Sequence, residues 1–268
     1  MKNERKRMNR STLGLLLVLL TFAAFSAVAQ ETPPPDPATL DAATILDRVN
    51  EAWQGTSFHA TVRLEITLAG ATKQHALEIW TLGEELALIR VLEPEEDLNS
   101  GYLQLGDELW YYAPGIGAIK LPAIALADAV FGAGPSLEDL SHGTLSDDYD
   151  ESVQVLPDDP DDESNAYWLL TLVPHADAPV VYGKLELWVT ADFTMERLVY
   201  YDQRSEVLQT ATFSNAIDLG DRSFPTTITI EDAFGDRTVQ RIDDPAFDFE
   251  IDASFFAIET FESWGDEQ

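Results

Sequence analysis

Residues 57–68 read SFHATVRLEITL, and the fold follows from their rhythm. Phe58, Ala60, Val62, Leu64 and Ile66 alternate with His59, Thr61, Arg63, Glu65 and Thr67. Successive side chains of a strand point to opposite faces, so a period of two predicts a strand with one face buried and one wet. Working outward, Gly70 turns the chain and His75–Leu82 and Glu85–Leu92 read as the next strands, joined at Gly83-Glu84. Gly101–Leu105 and Glu108–Ala113 read as a hairpin around Gly106-Asp107. Further strands are expected at Tyr167–Val173, Tyr182–Val189, Met195–Tyr201, Val207–Ala216, Phe224–Ile230 and Arg237–Ile242, with one more inside the acidic stretch Ser146–Asn165. About eleven strands joined by short turns predict an antiparallel meander.

Helices flank this series. Leu46, Val49 and Trp53 recur at helical spacing with Ala42 one turn earlier, which predicts an amphipathic helix near 40–53. Thr39 or Asp41 can cap it and Gly55 stops it. Pro114–Leu140 is apolar but rich in Gly and Pro, and within it Pro122–Phe131 reads as a short helix. Asp252–Ala257 reads as a short terminal helix and Ser263–Gln268 as a frayed tail. Several strands are apolar on both faces. In one, Ala87, Ile89 and Val91 oppose Leu86, Leu88 and Leu92. Such a strand packs on something at both sides, as in a sheet wrapped around helices or lining an apolar cavity.

The first 29 residues read as a cleavable signal peptide. Lys2, Arg5, Lys6, Arg7 and Arg10 form a positive region, Leu13–Val28 an apolar one, and Ala27-Val28-Ala29 a cleavage site. That predicts export to the periplasm. Residues 30–38 are a Pro-rich linker, and 39–262 are expected to form one domain. There is no cysteine, so disulfides, thiolate metal sites and acylation of a cysteine are all excluded. Residues 30–268 carry 11 Lys+Arg against 47 Asp+Glu, a net charge of −36. Such a field repels nucleic acid and favours basic partners.

The sequence offers no catalytic signature. His59, His75, His142 and His175 have no metal-binding spacing, no GxSxG elbow or phosphate-binding glycine loop occurs, and Asp158–Glu163 lacks the glycine and distal glutamate of a calcium loop. No cofactor, metal or enzymatic activity is expected. Arg90 stands out as a base inside the apolar run IRVL. Two readings stay open for it. One is an edge position or a simple salt bridge. The other is an interior arginine that bonds loop carbonyls or a ligand head group.

The order RVLEPEEDLNSGYLQLGDELWYYAPGIGAIKLP (90–122), FGAGPSLEDLS (131–141) and DDYD (147–150), followed by YWLLTLVP, KLELWVTADFTMERLVYYD and SFPTTITIED, resembles the outer-membrane lipoprotein-sorting family, the LolA-like carriers. The likeness spans most of residues 40–232. It implies an incomplete, strongly curved antiparallel β-barrel with short helices over its open, apolar side. It makes Pro114–Leu140 part of a lid and Trp80, Leu88, Leu105, Trp110 and Tyr112 candidate wall residues, with Arg90 and Phe131 beside them. The function it implies is a periplasmic carrier for lipid or lipoprotein acyl chains that serves an inner-membrane transporter, and the protein is expected to be a monomer. The same fold also implies an alternative, an envelope sensor domain that binds a lipid or protein partner.

Overall fold

The alternating stretch forms one strand, Ser57–Leu68 (β1), in which Phe58, Ala60, Val62, Leu64 and Ile66 are all buried. The computed structural model describes residues 39–122, 125, 148–157, 165–176, 178 and 182–265. After β1 come Ala71–Leu82 (β2), Leu86–Glu93 (β3), Gly101–Leu105 (β4), Glu108–Ala113 (β5) and Gly117–Leu121 (β6). A second run comprises Tyr149–Val155 (β7), Ala166–Pro174 (β8), Lys184–Thr190 (β9), Met195–Tyr201 (β10), Val207–Asp218 (β11), Ser223–Asp232 (β12) and Arg237–Phe247 (β13). Ala42–Gln54 (α1) precedes the strands and Ile258–Gly265 (α2) follows them. All of these lie in the unit that begins at Asp36.

One open sheet holds all thirteen strands, in the order β6-β5-β4-β3-β2-β1-β13-β12-β11-β10-β9-β8-β7. Every pairing is antiparallel. The sheet is therefore two meanders. One winds outward from β1 to β6, the other inward from β7 to β13, and β1 and β13 join them. Residues of both arms, from Leu77, Ile89 and Leu109 to Leu170, Leu187 and Ile228, share one core with Ile45, Leu46 and Val49 of α1. Only a sheet bent around α1 brings its two arms into one cluster. The incomplete barrel expected from the sequence is what forms.

The thirteen strands exceed the expected number chiefly at β6, which lies within the stretch read as lid. Gly115 and Gly117 adopt φ of 77° and 86°, so the chain reverses after β5 and Ile119 pairs with Tyr111. At the other end, Ser263–Gly265, expected to fray, form the last turn of α2. The expected helix at 252–257 is a 3-10 turn, Ala253–Phe255, that leads into it.

The first helix matches its sequence signals. Asp41 accepts a hydrogen bond from the Thr44 backbone N–H at 2.8 Å, which caps α1 and holds the Asp41 carboxyl below its ordinary range. Trp53 stacks on Phe224 with ring centroids 5.1 Å apart, and Phe58 meets Phe247 at 5.0 Å, so the last turn of α1 is bolted to the central strands. Gly55 ends the helix at φ 62°. Asp248 then accepts from the Thr56 N–H at 2.6 Å and the Thr56 hydroxyl at 2.9 Å, and pairs with Arg222. A methyl group on Gly55 would lie 2.9 Å from Asp248 Oδ1 and 3.1 Å from Phe247. Gly55→Ala should therefore destabilise the protein by about 1–2 kcal/mol or more, read from urea unfolding, because it adds a clash to a left-handed backbone.

Candidate ligand-binding face

Register turns the alternation into rows across the sheet. Ala60, Ile79, Ile89, Tyr102, Tyr111 and Ile119 pair in succession from β1 to β6 and face the core. Their cover fades along the row. Ala60, Ile79 and Ile89 are fully buried, Tyr102 and Tyr111 are half-buried, and Ile119 is 49% exposed. The other arm ends the same way. Trp168 and Leu170 of β8 are buried, whereas their β7 partners Val155 and Val153 are 40% exposed and half-buried respectively. The concave face thus ends in two apolar lips. Tyr102, Tyr111, Ile119 and Leu121 form one, Val153 and Val155 the other. Burial, then the neighbouring Tyr111 and Asp97, push the Tyr102 phenol above its ordinary range. The rings of Tyr102 and Tyr111 lie 5.3 Å apart. Beside the second lip, the buried indole N–H of Trp168 meets no acceptor among the described residues.

The wall residues expected from the sequence lie on the opposite face. His59, Trp80, Leu88, Leu103, Trp110 and Lys120 form the row next to the concave one, turned outward. There Leu88, Leu103 and Tyr112 build a second core with Phe256 and Phe261, and Trp80, Leu105 and Trp110 pack around it. Trp264 stacks on Trp80 at 5.5 Å, and Phe261 on Tyr112 at 5.1 Å. Gly101 makes this close approach possible, since a methyl group there would sit 2.7 Å from Phe261 and 1.9 Å from the Ile89 carbonyl oxygen. Trp80, Leu88, Leu105, Trp110 and Tyr112 therefore line no part of the concave face. The apolar double-sidedness of β3 was real, but α2 covers its outer side, and the sequence shows alternation without showing which set points inward.

Arg90 belongs to this outer face too. Its Nε donates to Asn99 Oδ1 at 2.8 Å, its guanidinium lies 3.6 Å from Glu78 and stacks 4.3 Å over Trp264. Asn99 donates onward to the Trp264 carbonyl at 3.2 Å, and Glu78 also meets His59 at 3.1 Å. Of the two readings, the salt bridge is the one the fold uses, and its work is to pin α2. Phe131 lies outside the described residues.

Other polar features are structural. On the outer face of the second arm, Tyr201 donates to Glu186 at 2.6 Å and Lys184 reaches the same carboxylate at 2.7 Å. That hydrogen bond pushes the Tyr201 phenol up to about 12. Burial alone would raise Glu186, but the bonds from Lys184 and Tyr201 outweigh it and hold the carboxyl low. A groove of about 600 Å³ beside the end of α1 is lined by Asp47, Glu51, Glu84, Arg222 and Asp248, a charged surface unsuited to an acyl chain. Among the described residues, no group of three or more His, Asp or Glu is placed to hold a metal.

A family model described as "Uncharacterized protein" matches residues 83–263. The chain belongs to that family. Among solved structures, a LolA superfamily protein of Nitrosomonas europaea is 23% identical and superposes with a TM-score of 0.66, covering 81% of this chain and 98% of its own. An outer membrane lipoprotein-sorting protein domain of Vibrio parahaemolyticus is 18% identical with a TM-score of 0.69, covering 82% and 98%. A DUF1329 family protein of Desulfovibrio piger is 16% identical with a TM-score of 0.70, covering 81% and 96%. No curated protein matches the chain. The LolA-like fold read from the sequence is the fold of this family member.

Two outcomes check the placement of these faces. Phe261 of α2 is fully buried against the outer face of the sheet, so Phe261→Ala should lower stability by about 3–5 kcal/mol in urea unfolding. His75 sits in the core opposite Leu64. Burial pushes its imidazole below the ordinary value, Asp97 and Glu96 oppose that shift, and Lys73 adds to it. The unfolded chain therefore takes up the proton more readily. The favourable contribution of neutral His75 is complete above about pH 6.5 and is lost as pH falls through its lowered folded value. Measured against His75→Leu, the wild type should lose stability on going from about pH 7.5 to about pH 5.

Proposed function

We propose that this protein is a periplasmic carrier that shields the acyl chain of a lipid or lipoprotein on the concave face of its half-barrel. The observation that carries this reading is the fading cover along the concave rows, which leaves apolar lips at both ends of one curved sheet. Isolated exposed aliphatics need no explanation, but two sets that end the two arms of one apolar face mark a binding surface. The chain's ligand sits between the lips, against Tyr102, Tyr111, Ile119 and Leu121 on one side and Val153 and Val155 on the other. The buried indole N–H of Trp168 supports a ligand that carries an ester or amide carbonyl within reach of that acceptor-seeking group. Burial of hydrocarbon contributes about 0.8 kcal/mol per CH₂, so binding needs no cofactor or covalent step. Release then falls to a membrane partner, and an inner-membrane transporter is the natural donor. The likeness to lipoprotein-sorting domains supports the same reading.

Adjacent residues on opposite faces give the test. Protein purified from the periplasm without detergent is weighed by native mass spectrometry, then offered phosphatidylethanolamine–phosphatidylglycerol vesicles. The expected result is a lipid-mass adduct that Tyr111→Asp removes and Trp110→Asp leaves in place. Removal by Trp110→Asp alone would put the ligand on the outer face. A clean protein mass before and after exposure to vesicles would overturn the carrier reading.

A further inference from the structure

Among the described residues, the sheet ends at β6 on one side and at β7 on the other. A sheet end presents unpaired N–H and C=O groups, and proteins guard such ends with charges, prolines or bulges. The two ends are not guarded alike. β7 reads YDESVQV, with Asp150 and Glu151 both exposed. β6 reads GAIKL, with no acid, no proline and an unbroken register against β5. Its one charge, Lys120, is drawn back over Trp110 and paired with Glu108 at 2.5 Å. Ile116, just before the strand, is 70% exposed, and Ile119 within it is 49% exposed. Leu121 and Ala125 pack on the main core.

We infer that the β6 edge is a protein-docking site that takes an extended strand from a basic partner polypeptide. Backbone pairing along 117–121 would supply the contact, and Ile119 would receive an apolar side chain on the concave side. A second copy of this chain is a poor occupant, because each copy carries a net charge of −32 and the field that repels a copy attracts a cationic strand. The inference concerns a protein partner and shares Ile119 with the proposed acyl lip; an N-methylated probe separates the two, because backbone donors matter to a paired strand and not to an acyl chain.

The test uses the chain without its signal and three acetylated eight-residue probes. One alternates Lys and Val, one alternates Glu and Val, and the third is the Lys/Val probe with N-methyl groups on alternate residues. Amide hydrogen exchange of residues 117–121 is followed by mass spectrometry, and affinity by fluorescence anisotropy. The expected result is that the Lys/Val probe slows exchange at β6 and not at β7, and that the Glu/Val probe does not. N-methylation keeps side chains and charge but deletes donors, so it should weaken binding at least about tenfold. Ile119→Asp, which gives β6 the kind of guard β7 has, should abolish protection. Protection elsewhere than β6, equal binding of the N-methylated probe, or no protection by the Lys/Val probe would each overturn the inference. The probe comparison decides the matter even if Ile119→Asp does not fold.

Discussion

The ladder between β1 and β13 is the constraint on which the rest depends. It runs from Phe58 opposite Phe247 to Thr67 opposite Arg237 and is the only described pairing between the two arms. Everything else in the sheet is a hairpin between neighbours in the chain. With that ladder in place, α1 finds residues of both arms around it, and Trp53, Phe58, Phe224 and Phe247 close as one aromatic knot. The polar ties gather at the same seam. Ser57 donates to the Phe249 carbonyl, Asp248 holds Thr56, and Arg222 reaches both Asp248 and the Glu51 carbonyl. Such ties cost little while paired, and they fix the angle at which the helix enters the sheet.

A second consequence concerns the sheet's thickness. Its first arm is covered on both faces, by α1 and the main core inside and by α2 outside, whereas β11 and β12 show mostly threonine, serine and charge outward. The first arm is thus the one packed on both sides. Its lip, Tyr102 to Ile119, is backed by the Arg90–Asn99–Trp264 clasp. The opposing lip on β7 has no such backing among the described residues.

Much of this was legible in the chain. Strand positions, the antiparallel meander and the first helix with its cap at Thr39 or Asp41 and its Gly55 stop come from local rules of period and capping, whereas the incomplete barrel is what the resemblance to the LolA-like carriers implies. What local rules omit is parity. They say that Leu88 and Ile89 face opposite ways, not which of them meets α1. That choice depends on where the sheet bends, which the distant β1–β13 pairing decides. The same gap hid α2, because an eight-residue helix rich in aromatics has weak caps and gains its stability from Trp80, Leu88 and Tyr112, which lie far away in sequence. β6 was obscured for the opposite reason, since its glycines mark a break in isolation and a tight reversal only beside β5.

The seam also sets the order of events when the chain folds. Each arm is a meander of local contacts and forms quickly, but Ser57 and Phe249 are 192 residues apart, so closing the loop between them comes late. Until it closes, two twelve- and eleven-residue strands, β1 and β13, stand as temporary edges with apolar faces open. A molecule in that state is prone to pair with its neighbours. The heavy excess of acid over base opposes such pairing, because two chains of the same sign repel one another whether folded or not.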